Sequence, residues 1–236
     1  MRSFPTHLRA LALLAAALAP VAFSGCRHAP PRLAPPVVEV SQKRWEKEIA
    51  ALEAKDRENP PPKNGFLFVG SSSIKRWTNL AEAFPGQPVI NHGFGGSQII
   101  DSVVYAHRLV IPYRPRLVVM YAGGNDINAG KSADQVFRDY ETFVRTVHAA
   151  LPRTRIAYIS IAPNPKRWSQ IETVKRANAL IEAHTRTDPR LEFINVFPHM
   201  LGPDGRPKPD IFVADQLHMN EKGYAIWREV VGPFLR

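Results

Sequence analysis

The chain has little cysteine and lacks the motifs that tie proteins to metals, dinucleotides or nucleic acid. Cys26 is the single cysteine in 236 residues, so no disulfide can form within the chain. No cluster of His, Cys, Asp or Glu has metal-ligand spacing. There is no run of five or six like charges and no nucleic-acid motif. The formal net charge of +10 therefore reads as a scattered, solvated basic surface. The first strand is not followed by a phosphate fingerprint of dinucleotide or P-loop type, which sets aside a phosphate-binding module. No internal repeat is visible, and no apolar run reaches the ~20 residues of a spanning helix. With 44% hydrophobic residues, what remains suits one globular domain with a sizeable core and no cofactor or metal.

The N-terminus has the pattern of an export signal. Arg2, His7 and Arg9 precede an apolar run from Ala10 to Phe23. Removing a leader over residues 1–25 takes Arg2 and Arg9 with it and leaves a charge of about +8. The run ends in Phe23-Ser24-Gly25-Cys26, which resembles the lipobox of bacterial lipoproteins, with Phe where Leu is usual. A lone exported thiol is a liability unless it has a task, and lipidation of Cys26 supplies one. The expected location is the periplasm-facing side of a membrane, with free secretion if Cys26 carries no lipid. Residues 26–40, with Ala29-Pro30-Pro31-Arg32-Leu33-Ala34-Pro35-Pro36, read as an extended, semi-rigid tether, and the domain is expected over 41–236.

Within the domain, apolar strands alternate with helical patterns. Phe66-Leu67-Phe68-Val69 is a strand buried on both faces, and Gly70-Ser71-Ser72-Ser73 ends it. Val89-Ile90, Leu117 to Tyr121, Ile156 to Ile161 and Leu191 to Val196 read as four more strands. Ser41 is a cap for a helix bearing Trp45, Ile49 and Leu52. Ser132 with Gln135 makes a capping box for a helix bearing Val136, Tyr140, Phe143 and Val147. Further helices carry Ile171, Val174, Ala177 and Ile181, and, behind Asn220, Tyr224, Trp227 and Val231. This alternation predicts an α/β fold with a parallel sheet covered on both sides.

Polar residues collect where strands end. Right-handed crossovers put the C-termini of parallel strands on one edge, so Ser72, Gly96 and Asn125 can converge. Asp215-Gln216-Leu217-His218 precedes the last helix, and its spacing lets the carboxylate bond the imidazole. Such a carboxylate fixes the ring tautomer and frees the other nitrogen to take a proton from a serine.

Four blocks in order are Gly70-Ser71-Ser72, Asn91-His92-Gly93-Phe94-Gly95-Gly96, Gly123-Gly124-Asn125-Asp126 and Asp215-Gln216-Leu217-His218. Together they resemble the SGNH/GDSL hydrolase family over about residues 64–235. The resemblance implies a three-layer α/β/α sandwich of flavodoxin-like type with strand order 2-1-3-4-5. It implies a serine esterase or acylhydrolase with Ser72 as nucleophile, His218 as base and then acid, and Asp215 as its orienter. The oxyanion hole would be the backbone N–H groups of Ser72 and Gly96 with the Asn125 amide. The sequence departs from the family at Ser71, where Asp is usual.

Other tempting residues take structural roles on this reading. Ser71 and Ser73 make loop hydrogen bonds, Asp126 is a loop or helix cap, Asp101 sits in a first helical turn, and His92 is structural. Trp77, Trp168, Phe94 and Phe212 are candidates for an acyl pocket or for packing. Expected substrates are small-molecule, lipid or glycan esters. The alternatives are an envelope acyltransferase or carbohydrate O-deacetylase using the same residues, and a non-catalytic lipid- or glycan-binding module. Nucleic acid is not an expected partner.

Overall fold

A computed structural model describes residues 31–236. The signal segment, Cys26 and the first residues of the tether lie outside the described residues, of which no helix is long and apolar enough to cross a membrane.

Helix α1 (Pro35–Glu58) precedes strand β1 (Phe66–Gly70), the one-turn helices α2 (Ser72–Lys75) and α3 (Leu80–Ala83), and strand β2 (Val89–Gly93). Then come α4 (Ile99–Val104), α5 (Ala106–Leu109), β3 (Leu117–Tyr121), α6 (Gly124–Asn128) and α7 (Ala133–Ala150). The chain continues through β4 (Arg155–Ile159), α8 (Ile171–Thr185), β5 (Leu191–Ile194) and α9 (Glu221–Val231). All five strands are parallel, in the order β2-β1-β3-β4-β5, as expected.

Strand alternation splits the core into two faces. Leu67, Val69, Val118, Met120, Ile156 and Tyr158 face Ile49, Val103, Val136, Phe143 and Ile181 of the helices on one side. Phe66, Phe68, Leu117, Val119 and Ile159 face Trp77, Leu80, Trp227 and Val231 on the other. The result is the three-layer sandwich. The capping box of α7 is present, with Gln135 N–H donating to Ser132 Oγ and Gln135 Oε1 accepting from Ser132 N–H. Asn220 Oδ1 caps α9 by accepting from the N–H groups of Lys222 and Gly223.

Two boundaries differ from expectation. Strands β4 and β5 stop two residues short of Ile161 and Val196 because side chains take over the backbone there. Asn178 both accepts from Ile161 N–H at 2.8 Å and donates to its carbonyl at 3.0 Å, while Ser160 Oγ accepts from the N–H groups of Val196 and Phe197. The larger difference is α1. It begins at Pro35, not after Ser41, so the expected tether ends earlier than residue 40. Two prolines at N1 and N2 have φ already set for a helix and lack the N–H groups a cap would satisfy. Ser41 is therefore not a cap. It lies buried inside the helix and donates from Oγ to Asp101 Oδ1 at 2.7 Å.

Helix α1 is part of the domain. Trp45 and Ile49 enter the core, and Leu33 and Val38 pack against it. Arg108 pairs with Glu46 and Glu53, and Asp56 pairs with His92 at 2.8 Å. Burial alone would raise the Asp56 carboxyl, but hydrogen bonds from His92 and Tyr113 outweigh it and hold the group below its ordinary value.

Candidate active site

The turn that carries Ser72 is built by backbone geometry. Gly70 ends β1 at φ +132°, and a Cβ on it would stand 1.9 Å from the Tyr121 carbonyl oxygen of β3. Only glycine fits that conformation and that close approach. The chain then reverses, and Ser71 N–H donates to the same Tyr121 carbonyl at 2.9 Å. The Ser71 carbonyl accepts from Ile74 and Lys75, which closes the first turn of α2. The loop is thus held by the main chain of Ser71, and no carboxylate at this position is needed for those bonds. Ser73 contributes its carbonyl, which accepts from Tyr224 Oη at 2.8 Å. Asn91 clamps the far end of the turn, with Nδ2 donating to the carbonyls of Ile74 and Trp77.

These contacts place Ser72 Oγ 2.9 Å from His218 Nε2. The other ring nitrogen, Nδ1, is 2.6 Å from Asp215 Oδ2. Asp215 Oδ1 accepts from the N–H groups of Leu217 and His218, at 2.9 Å each. Burial alone would raise the Asp215 carboxyl. The imidazole bond and the two backbone N–H bonds outweigh it and hold the group well below the usual carboxylate range. Asp215 thus stays ionised and accepts from Nδ1–H, which leaves Nε2 as the acceptor facing Ser72. Three side chains expected together from residues 72, 215 and 218 are brought into one hydrogen-bonded line.

The loop after β2 and the loop after β3 meet beside Ser72. Asn125 Nδ2 donates to the Ser97 carbonyl at 3.1 Å, which uses one of its two hydrogens. Gly96 lies against the same amide, since a Cβ on it would sit 3.7 Å from Asn125 Nδ2. Helix α1 holds this loop from behind. Glu48 Oε1 accepts from Gly95 N–H at 2.8 Å, and the Trp45 ring lies where a Gly95 side chain would be, 2.0 Å from its ideal Cβ. Asp126 is fully buried. It accepts from Ile99 N–H and pairs with Lys131 at 2.9 Å, so it ties two loops together.

His92 is buried between the Leu109 carbonyl and Asp56, a structural position. Asp101 sits in the first turn of α4, where Oδ2 accepts from Gln98 N–H. Of the four aromatic candidates, Phe212 lines the cavity over Ser72, while Trp77 and Phe94 belong to the core. Trp168 lies under the Arg206 guanidinium, 5.1 Å from its ring centre. Among the described residues no group of three or more His, Cys, Asp or Glu is arranged to hold a metal ion.

The cavity has a volume of about 30 Å³, and Ile161, Met200, Phe212, Met219 and Trp227 form its apolar wall. Met200, Met219 and Trp227 were not among the residues singled out as pocket candidates. Arg167 also lines it, and its Nη1 donates to Asn125 Oδ1 and to the Gly124 carbonyl, at 3.0 Å each. That bond fixes which end of the Asn125 side chain is oxygen and turns Nδ2 toward Ser97 and the cavity.

Comparison with known proteins follows the same lines. A model of the GDSL-like lipase/acylhydrolase family matches residues 67–226. Platelet-activating factor acetylhydrolase IB subunit alpha1 of Pongo abelii is 26% identical over 165 residues, covering 67% of this chain and 70% of that one. A structure described as a platelet activating factor from Streptococcus pneumonia superposes with a TM-score of 0.71 at 20% identity, over 86% of this chain and all (100%) of the other. A GDSL-like lipase from Bacteroides thetaiotaomicron gives 0.67 at 21% identity, over 82% of this chain and 96% of the other. A carbohydrate esterase family 3 structure from Talaromyces cellulolyticus gives 0.57 at 20% identity, over 72% and 96%. At these identities the structures show a common fold.

Proposed function

We propose, since the chain belongs to the GDSL-like lipase/acylhydrolase family and is therefore a carboxylic ester hydrolase, that it cleaves short acyl esters through Ser72, His218 and Asp215. The observation that carries the mechanism is the continuous line from Ser72 Oγ through the imidazole to Asp215, at 2.9 and 2.6 Å. His218 Nε2 takes the hydroxyl proton as Oγ attacks the ester carbonyl carbon. The carbonyl oxygen gains negative charge. The Ser72 N–H, an orphan donor at the first position of α2, is available to it, with Gly96 N–H and the second hydrogen of Asn125 Nδ2. His218 then returns the proton to the departing alkoxide, leaving an acyl group on Ser72. A water, deprotonated by the same nitrogen, releases the acid and restores the hydroxyl.

Cavity size supports a short acyl chain. A volume of about 30 Å³ is room for about two waters, which suits an acetyl group. The acetylhydrolase named among the relatives is consistent with this choice. The substrate is expected outside the cytoplasm, on the strength of the N-terminal export and lipidation pattern ending at Cys26. Hydrolysis of p-nitrophenyl esters from C2 to C12 tests the acyl preference. The kcat/KM is expected to be highest at C2 and to fall steeply beyond C4. A maximum at C8 or longer would contradict it.

Asn125→Ala removes one oxyanion donor and leaves the Arg167 Nη1 donor and the Ser97 carbonyl acceptor without their partner. The expected loss is roughly 10²–10³ in kcat with little change in KM, because the donor acts on charge present only in the transition state. Steady-state kinetics on p-nitrophenyl acetate reads it, and an unchanged kcat would remove Asn125 from the oxyanion hole.

A further inference from the structure

Arg167 is the one arginine or lysine among the residues lining the active-site cavity, and the lining includes no carboxylate. Four arginines among the described residues are half-buried: Arg108, Arg155, Arg167 and Arg190. Arg108 pairs with Glu46 and Glu53, Arg155 with Glu192, and Arg190 with Asp188. Arg167 has no acidic partner among the described residues. Its two hydrogen bonds, to the Gly124 carbonyl and Asn125 Oδ1, both leave from Nη1. Nε and Nη2 donate to nothing among the described residues. Burial pulls the group below its ordinary value, which is the mark of a cation drawn out of water without a counter-charge.

The position is set by the chain. Arg167 sits in the 3₁₀ turn Pro165–Gln170 after β4, where Asn164 Oδ1 accepts its N–H at 2.9 Å. The turn therefore holds the guanidinium against the cavity, one hydrogen bond from the Asn125 amide. A planar fork with unused donors suits a two-oxygen anion, a carboxylate or a phosphate.

We propose that Arg167 determines substrate specificity by receiving an anionic group, carboxylate or phosphate, carried by the alcohol part of the ester. The inference rests on the esterase reading above. It defines the substrate class as short acyl esters of an anionic alcohol, with the charge a few bonds from the scissile oxygen. The acyl group fills the small apolar cavity, and the anion lies over Arg167.

Matched esters test it. The kcat/KM for 3-acetoxybenzoate is compared with that for its neutral methyl ester, in wild type and in Arg167→Gln, with 3-acetoxyphenyl phosphate against phenyl acetate as the phosphate arm. Losing the bond to Asn125 lowers both rates in the variant, so the quantity read is the anionic-to-neutral ratio. The ratio in wild type is expected to exceed that in Arg167→Gln by about tenfold or more for at least one anion, with Arg167→Lys between them. The arm that shows the gain assigns carboxylate or phosphate. Equal ratios in wild type and Arg167→Gln for both anions would overturn the proposal and leave Arg167 as a positioning residue for Asn125. Calorimetric binding of 3-hydroxybenzoate and 3-hydroxyphenyl phosphate reads the same site without turnover. Arg167-dependent binding with no hydrolysis of any ester would sustain the anion site while the esterase reading fell. No binding of either and no ratio change would defeat the anion site.

Discussion

Ser72→Ala should lower kcat/KM for p-nitrophenyl acetate by about 10⁴- to 10⁶-fold and leave the melting temperature nearly unchanged. The size of the loss follows from the role. Oγ makes the bond that splits hydrolysis into two easier steps, and no other hydroxyl takes its place. Ser71 and Ser73 also line the cavity, but among the described residues Ser72 is the serine whose Oγ bonds the imidazole. Stability is spared because the turn is held by the Gly70 conformation, the Ser71 main chain and the Asn91 clamp, none of which uses the Ser72 side chain. A rate measured alongside the melt separates a lost nucleophile from a lost fold. Residual activity within tenfold of wild type would place the nucleophile elsewhere.

Asp215→Asn should cost about 10⁴ in kcat while the site keeps its shape. The two carboxylate oxygens do different things. Oδ1 accepts two backbone N–H bonds, and Oδ2 accepts from the His218 ring. An asparagine places its carbonyl oxygen where Oδ1 was, since an amide NH₂ cannot accept from Leu217 and His218. Its NH₂ then faces Nδ1 and donates to it. The imidazole answers by moving its proton to Nε2, and Nε2–H cannot take the proton of Ser72. The variant therefore keeps the geometry and inverts the tautomer. Asp215→Ala is the control: it frees the ring from both constraints and should also loosen the turn. Equal kcat in wild type and Asp215→Asn would show that the carboxylate has no part in setting the imidazole.

The strands and the site were legible in the sequence for the same reason. Both-face burial makes β1 and β3 read as unbroken apolar runs, and the first polar residue after each marks the sheet edge where a ligand can sit. Asp215 and His218 are three residues apart, so their contact is local and shows as spacing. What the sequence hid depends on long-range contacts between a side chain and a backbone or amide group. Arg167 reaches Asn125 across 42 positions, and the Asn91 clamp spans 14 and 17. No periodicity announces either. Helix α1 was half legible. Trp45 and Ile49 show at helical spacing, but Pro35-Pro36 reads as tether and Ser41 as the cap, so the first turns of the helix do not show. The role of Glu48 and Trp45 in bracing Gly95 depends on a loop nearly 50 residues downstream.

The central claim is that Ser72 is the acylated residue and that His218 and Asp215 activate it. Peptide mass spectrometry after brief exposure to a fluorophosphonate tests this most directly. The account predicts one adduct, on Ser72, formed rapidly in wild type and far more slowly in Asp215→Asn. An adduct on Ser71 or Ser73, or full hydrolytic activity with no adduct on Ser72, would contradict it.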